Sequence, residues 1–149
     1  MSNLFNKEEN RAIVERIDRL SRDSKALWGK MGPAEMLYHC SQAMKSAFGD
    51  LKLKRSFMGL LFGSMAKKQI LSDKPFKQNL PTDSNFKAKD SKNFDEEKAS
   101  LIELVGRFAE SGPGGITTEA HPFFGKMCAD EWNFLMSKHL DHHLKQFGA

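Results

Sequence analysis

Apolar residues in this chain recur every three or four positions over long stretches, and that spacing is buried most readily by packing helix on helix. Ile13, Val14, Ile17 and Leu20 mark a first stripe over Lys7 to Leu20. Met36, Cys40, Ala43, Met44 and Ala47 mark a second between Pro33 and Phe48. Leu101, Leu104, Val105 and Phe108 mark a third within Phe94 to Glu110. Trp132, Leu135, Met136, His139, His143 and Phe147 share one face of a last helix over Cys128 to Phe147. The punctuation agrees with these stripes. Pro33 suits a first helical position, and Gly49 suits a helix end. Asn93 is an N-cap followed by acidic Asp95, Glu96 and Glu97. Ser111-Gly112-Pro113-Gly114-Gly115 stops the third helix.

Between the second and third stripes lies a different kind of sequence. Arg55 to Leu71 reads as a further helical piece, breakable near Gly59 or Gly63. It holds the longest apolar run, Phe57 to Ala66, which is too short to span a bilayer and is expected to be a buried helix. Ser72 to Asn93 is long and polar, with Pro75 and Pro81, and Phe76, Leu80 and Phe86 are placed to pin it to the bundle. The chain has 149 residues, enough for one domain (1–149) with one core. Twelve Phe and eight Met supply large and adaptable core side chains, while β-branched residues are few. The expectation is an all-α four-helix bundle with a long polar connection between its second and third main helices.

The net charge of +4 gives a mildly basic chain, with much of the excess between Lys67 and Lys92. Aromatics are sparse there and no Arg-rich run occurs, so a solvated loop is expected and no nucleic-acid partner. Two cysteines, Cys40 and Cys128, make no disulfide framework and suit a reducing compartment. The first ten residues contain no apolar signal core. Together these features lead to an expected cytoplasmic location and no membrane partner.

Five histidines carry the chemistry: His39, His121, His139, His142 and His143. His139 and His143 are four apart and share an apolar helix face, where an unpartnered imidazole is costly. Two such rings can converge on one ion. His142 falls about 60° away at 100° per residue, at the edge of the stripe. Asn133, Ser137, Lys138, Asp141 and Lys145 fall on the opposite, polar side. His39 lies at the border of the second stripe, near Glu35 and Gln42, and could supply a third ligand or be a hydrogen-bonded core residue. Glu35, Gln42, His121 and His142 are candidates to orient a ligand or line a pocket.

Two segments together resemble the DinB-like superfamily of metal-binding bundles. Trp28-Gly29-Lys30-Met31-Gly32-Pro33-Ala34-Glu35-Met36-Leu37-Tyr38-His39 resembles its second-helix entry. His139-Leu140-Asp141-His142-His143-Leu144-Lys145-Gln146-Phe147 resembles its last-helix motif. His121-Pro122-Phe123-Phe124-Gly125 and Glu131-Trp132 look like an uncharacterised branch, a domain of unknown function. The resemblance implies an up-down-down-up bundle with His39, His139 and His143 as metal ligands. The ion it implies is divalent: zinc, nickel or iron. Some relatives are thiol-dependent transferases or isomerases, so a low-molecular-weight thiol is an implied cosubstrate. The common His-Arg-Gly-Gln ending reads His143-Leu144-Lys145-Gln146 here. Two functions stay open on these residues. One is a metal-dependent thiol transferase or hydrolase acting on a small molecule, with its catalytic residues unassigned. The other is a non-catalytic, metal-stiffened bundle that binds a partner or forms a homodimer, with Phe134 and Phe57–Ala66 as candidate contact surfaces.

Overall fold

The structure is a computed structural model that describes residues 2–149. Five α-helices form, and no strand occurs among the described residues. They are α1 (Lys7–Asp18), α2 (Pro33–Phe48), α3 (Phe57–Ile70), α4 (Phe94–Ser111) and α5 (Ala129–Gln146). Single 3₁₀ turns occur at Ser84–Phe86 and Pro113–Gly115. No helix among the described residues is long and apolar enough to cross a membrane.

The helix starts follow from side chains that satisfy the free N–H groups of a first turn. Asn6 and Asn93 accept from the first-turn amides of α1 and α4. Glu35 reaches back to the Gly32 N–H at 2.8 Å, and Glu131 to the Cys128 N–H at 2.9 Å. Gly49, at φ +77°, ends α2 in the left-handed region.

Four helices make the bundle. α2 packs most extensively on α4, α1 packs on α4 and α5, and α2 also packs on α5. The four stripes read in the sequence meet in one continuous core that includes Ile13, Ile17, Met36, Met44, Val105, Phe108, Trp132 and Leu140. The buried Asn10 carboxamide ties the N-terminal segment to α4, donating to the carbonyls of Leu4 and Val105.

α3 stands outside this bundle. Its inner face is Gly59 and Gly63, which lie against the backbone of Pro122 and Phe123, so close that a Cβ on either would overlap it. Apart from Ile70 in the last turn, which packs partly buried against the core, its remaining ties are polar. The Ser56 N–H donates to the Pro122 carbonyl, and Lys67 Nζ donates to the Lys126 carbonyl. The expectation of a buried apolar helix at Phe57–Ala66 is therefore corrected. Phe57, Met58, Leu60, Leu61, Phe62 and Met65 are all exposed, because only glycines fit against the turn. Phe134 is half-buried, with Lys138 above its ring.

The expected polar side of α5 also differs. Ser137 and Lys138 are buried. Lys138 Nζ donates to the carbonyls of Ile70 and Ser72, at 2.8 and 2.6 Å, and so holds the end of α3 against α5. Asp141 pairs with Arg16 of α1, and Asn133 accepts from the Leu4 N–H. Within the polar connection, Phe76 packs on the core and the Ser84–Phe86 turn packs on α2. Leu80 is exposed and pins nothing.

Candidate metal centre

α2 and α5 place His39, His139 and His143 side by side. One ring nitrogen from each lies within 4.8 Å of the others, a set that could hold a metal ion. His39 Nε2 and His139 Nε2 are 2.8 Å apart. His39 and His143 are buried, while His139 keeps some accessible surface and lines a cavity of about 1030 Å³.

The hydrogen bonds fix the proton on two of the rings. His39 Nδ1 is 3.2 Å from the Phe86 carbonyl oxygen, which can only accept. Nδ1 is therefore the donor, and the neutral ring presents a bare Nε2 lone pair to the cluster. His143 Nδ1 is 2.8 Å from Gln146 Oε1. Gln146 Nε2 donates to the Trp28 carbonyl at 2.7 Å, which sets the amide so that its oxygen faces the histidine. His143 likewise donates through Nδ1 and keeps Nε2 bare. Without an ion, His139 supplies the proton shared with His39. To hold an ion, His139 would adopt its Nδ1–H tautomer, which frees the Nε2 lone pair while the ring stays neutral. Donors of this kind fit a divalent transition metal.

The electrostatics favour neutral rings. Burial lowers the pKa of His39, and it holds His143 at about 3, where a charge on His39 would add to the effect. His139 is lowered well below its ordinary value by burial and by its histidine neighbours. Neutral imidazole is the form that binds metal.

The other predicted positions spread around this cluster. His142 stands at the rim of the cavity, its ring 5.7 Å from both Trp28 and Phe76. Glu35 lines the cavity, but one carboxylate oxygen is held by the Gly32 N–H. His121 lines the cavity from the turn closed by the His121–Gly125 bridge. Its Nδ1 accepts from the N–H groups of Phe123 and Phe124, both at 3.1 Å. That leaves the proton on Nε2, and burial, with the nearby Arg55 charge, lowers its pKa to about 4. Gln42 is buried in α2 but does not line the cavity.

The sequence profile of a family described as "Protein of unknown function (DUF1569)" matches residues 5–149. The chain belongs to this family. No curated protein and no solved structure matches it. In this DUF1569 chain, two residues orient the ligand candidates in a role not assigned from the sequence: Phe86, expected only to pin the polar connection, and Gln146, noted only as part of the last-helix motif. Gln146 carried a signal, since it lies three residues after His143 and so on the same helix face. Phe86 carried none, because its contribution is a backbone carbonyl delivered by a distant turn.

Proposed function

We propose that this chain is a DinB-like protein in which His39, His139 and His143 hold one divalent metal ion at the base of a substrate cavity. The observation that carries the reading is the convergence of three neutral rings, two with Nε2 fixed as a bare lone pair. The partners at Nδ1, a backbone carbonyl and a side-chain amide, are the kind that orient metal-bound histidines. Such an ion would supply Lewis acidity and lower the pKa of a bound water or thiol. The chain's own residues would do the rest. Phe86 and Gln146 hold two ligand rings, Trp28, Phe76 and His142 shape one wall, and Met31, Leu135 and Phe124 exclude water. A small, largely apolar molecule with a thiol or carbonyl head group suits that lining. Thiol transfer or hydrolysis is the corresponding reaction class. The two free thiols, Cys40 and Cys128, support a reducing, cytoplasmic setting.

One observation favours a second, non-catalytic reading. Among the described residues no carboxylate is hydrogen-bonded to the histidine cluster, and Glu35, which lines the cavity, is engaged in capping α2. In that reading the metal stiffens the α2–α5 contact and the cavity binds without turnover.

The test is elemental analysis of tag-free protein, with His139→Ala and His143→Ala alongside. Wild type should carry about one divalent ion per chain and each variant far less; equal loading overturns the site. A screen of electrophiles with several low-molecular-weight thiols then separates the two readings. Metal-dependent turnover supports the enzyme. Turnover that survives in the metal-free protein rules out the mechanism, and thermal stabilisation by metal without turnover selects the second reading.

A further inference from the structure

We infer that α3 is the contact element of a homodimer, with its outer face packed against the same face of a second copy. The inference is independent of the histidine site. It starts from the mismatch between what α3 is made of and what it buries. Of its large apolar residues, Phe57, Met58, Leu60, Leu61, Phe62 and Met65 remain 47–73% exposed, while Gly59 and Gly63 are its only buried positions. A helix of this length is marginal alone in water, because most helical stability in proteins comes from packing an apolar face. α3 presents that face outward.

At 100° per residue, Phe57, Leu61, Met65, Met58 and Phe62 cover one continuous arc of about 140°, opposite the two glycines. Taking about 200 Å² for each large side chain, the five residues of the arc expose about 600 Å² of apolar surface. That is the upper end of the largest apolar patch expected on a monomer, about 300–600 Å². It also approaches the ~800 Å² that each partner contributes to a stable interface. The helix is held firmly enough to act as a docking surface. Ser56 and Lys67 tie it to the Pro122–Lys126 turn, Lys67 also pairs with Glu131 at 2.7 Å, and Lys138 holds its last turn.

The arc favours a copy of itself as its occupant. Residues four apart form a ridge that packs into the groove of an identical helix about a twofold axis, and a twofold contact requires only one patch. The two ends of the arc are cationic: Lys54 and Arg55 precede it, and Lys68 continues it one turn beyond Met65. All three are exposed and free of ion pairs among the described residues, and no acidic residue lies between Leu51 and Ser72. Self-association therefore sets like charges near one another. Exposed charges of this kind contribute little beside desolvation of the whole arc. They do give the dimer a signature, because salt that screens them should tighten it. An anionic lipid surface would match the same charges and show the opposite salt dependence.

Sedimentation equilibrium of the full chain tests the inference. The expected mass is about twice 16.9 kDa, with dimerisation stronger at high salt. Leu61→Glu and Met65→Glu, which would bury an unpaired carboxylate, should each weaken dimerisation on the order of a hundredfold. Helical circular dichroism and metal content should stay at wild-type values. Lys68→Glu, at an exposed position at the C-terminal end of the arc, should tighten the dimer at low salt by removing repulsion. A monomer at all concentrations overturns the inference, as does a dimer indifferent to both glutamates. So does a monomer that co-sediments with phosphatidylglycerol vesicles at low salt and loses them on Lys68→Glu.

Discussion

Gln146 shows how one side chain can couple the end of a helix, a loop and a ligand. Its amide is read from both sides, donating to the Trp28 carbonyl and accepting from His143 Nδ1. The Leu27 N–H donates in turn to the Gln146 carbonyl at 2.8 Å. Gly29 belongs to the same arrangement. It sits at φ +80°, and a Cβ there would meet Gln146 Nε2 at 2.7 Å. Gln146→Leu should leave α5 helical but free the His143 ring to rotate and to change tautomer. Metal affinity, measured by competition with a chelator, should fall by about 10–100-fold; an unchanged affinity would mean that packing alone orients His143. The candidate ligands were unequally legible in the sequence. His139 and His143 follow from spacing and from the apolar face they share. His39 had a rival reading as a core histidine and rested on the resemblance. The tautomers could not be read at all, because they depend on Phe86 and Trp28 carbonyls supplied by remote loops. Glu35 was read as a pocket group because it lies one turn before His39. Its spacing from Gly32, with Pro33 between, is also that of a reciprocal cap, and that is the hydrogen bond it makes.

At the level of elements, periodicity located the four bundle helices to within a residue or two of their ends, since each stripe has one partner surface and clear stop signals. α3 was legible as a helix but not in its placement. An apolar run signals that burial is wanted, not which surface provides it. The deciding contact here is between two glycines and a turn more than fifty residues away. The same limit applies to Ser137 and Lys138. A helical wheel assigns them to the polar side, yet the segment after α3 returns to cover that side and uses Lys138 as its anchor. Gly63→Ala probes this docking directly. Its methyl group would overlap the Phe123 carbonyl oxygen, a backbone atom that cannot swing aside. The expected cost is about 1–3 kcal/mol, the range for overpacking a close contact. The loss should be local. Amide exchange should accelerate over residues 57–70 and leave α2, α4 and α5 protected; uniform acceleration would show that α3 unfolds only with the whole bundle.

Across the whole molecule, the four histidines most removed from water make stability depend on pH. His39, His121, His139 and His143 all have pKa values below the ordinary 6.5, with His121 at about 4 and His143 at about 3. Burial is the leading cause in each case. The unfolded chain takes up protons near pH 6.5, while the folded chain resists until lower pH. Between those values the unfolded state binds more protons, so stability rises with pH in that window and falls as the solution is acidified. Above about pH 7 the curve should be flat for these groups. Below it, each fully titrating histidine contributes about 1.4 kcal/mol per pH unit, down to its folded-state pKa. Urea unfolding of metal-free protein between neutral pH and pH 5 should show this decline, and a flat profile would contradict it. His121 separates one contribution from the rest because it lies away from the candidate ligands and its Nδ1 is an acceptor. In His121→Asn, the amide oxygen can still accept from the Phe123 and Phe124 N–H groups, but no proton is taken up. The variant should be less stable than wild type at neutral pH, through lost packing on Trp132 and Phe124, whose rings lie 5.2 and 4.5 Å from the imidazole. Its stability should nevertheless decline more gently with acid, by about 1 kcal/mol per pH unit between pH 6 and 5. Two parallel curves would place the acid sensitivity wholly in the three-histidine cluster.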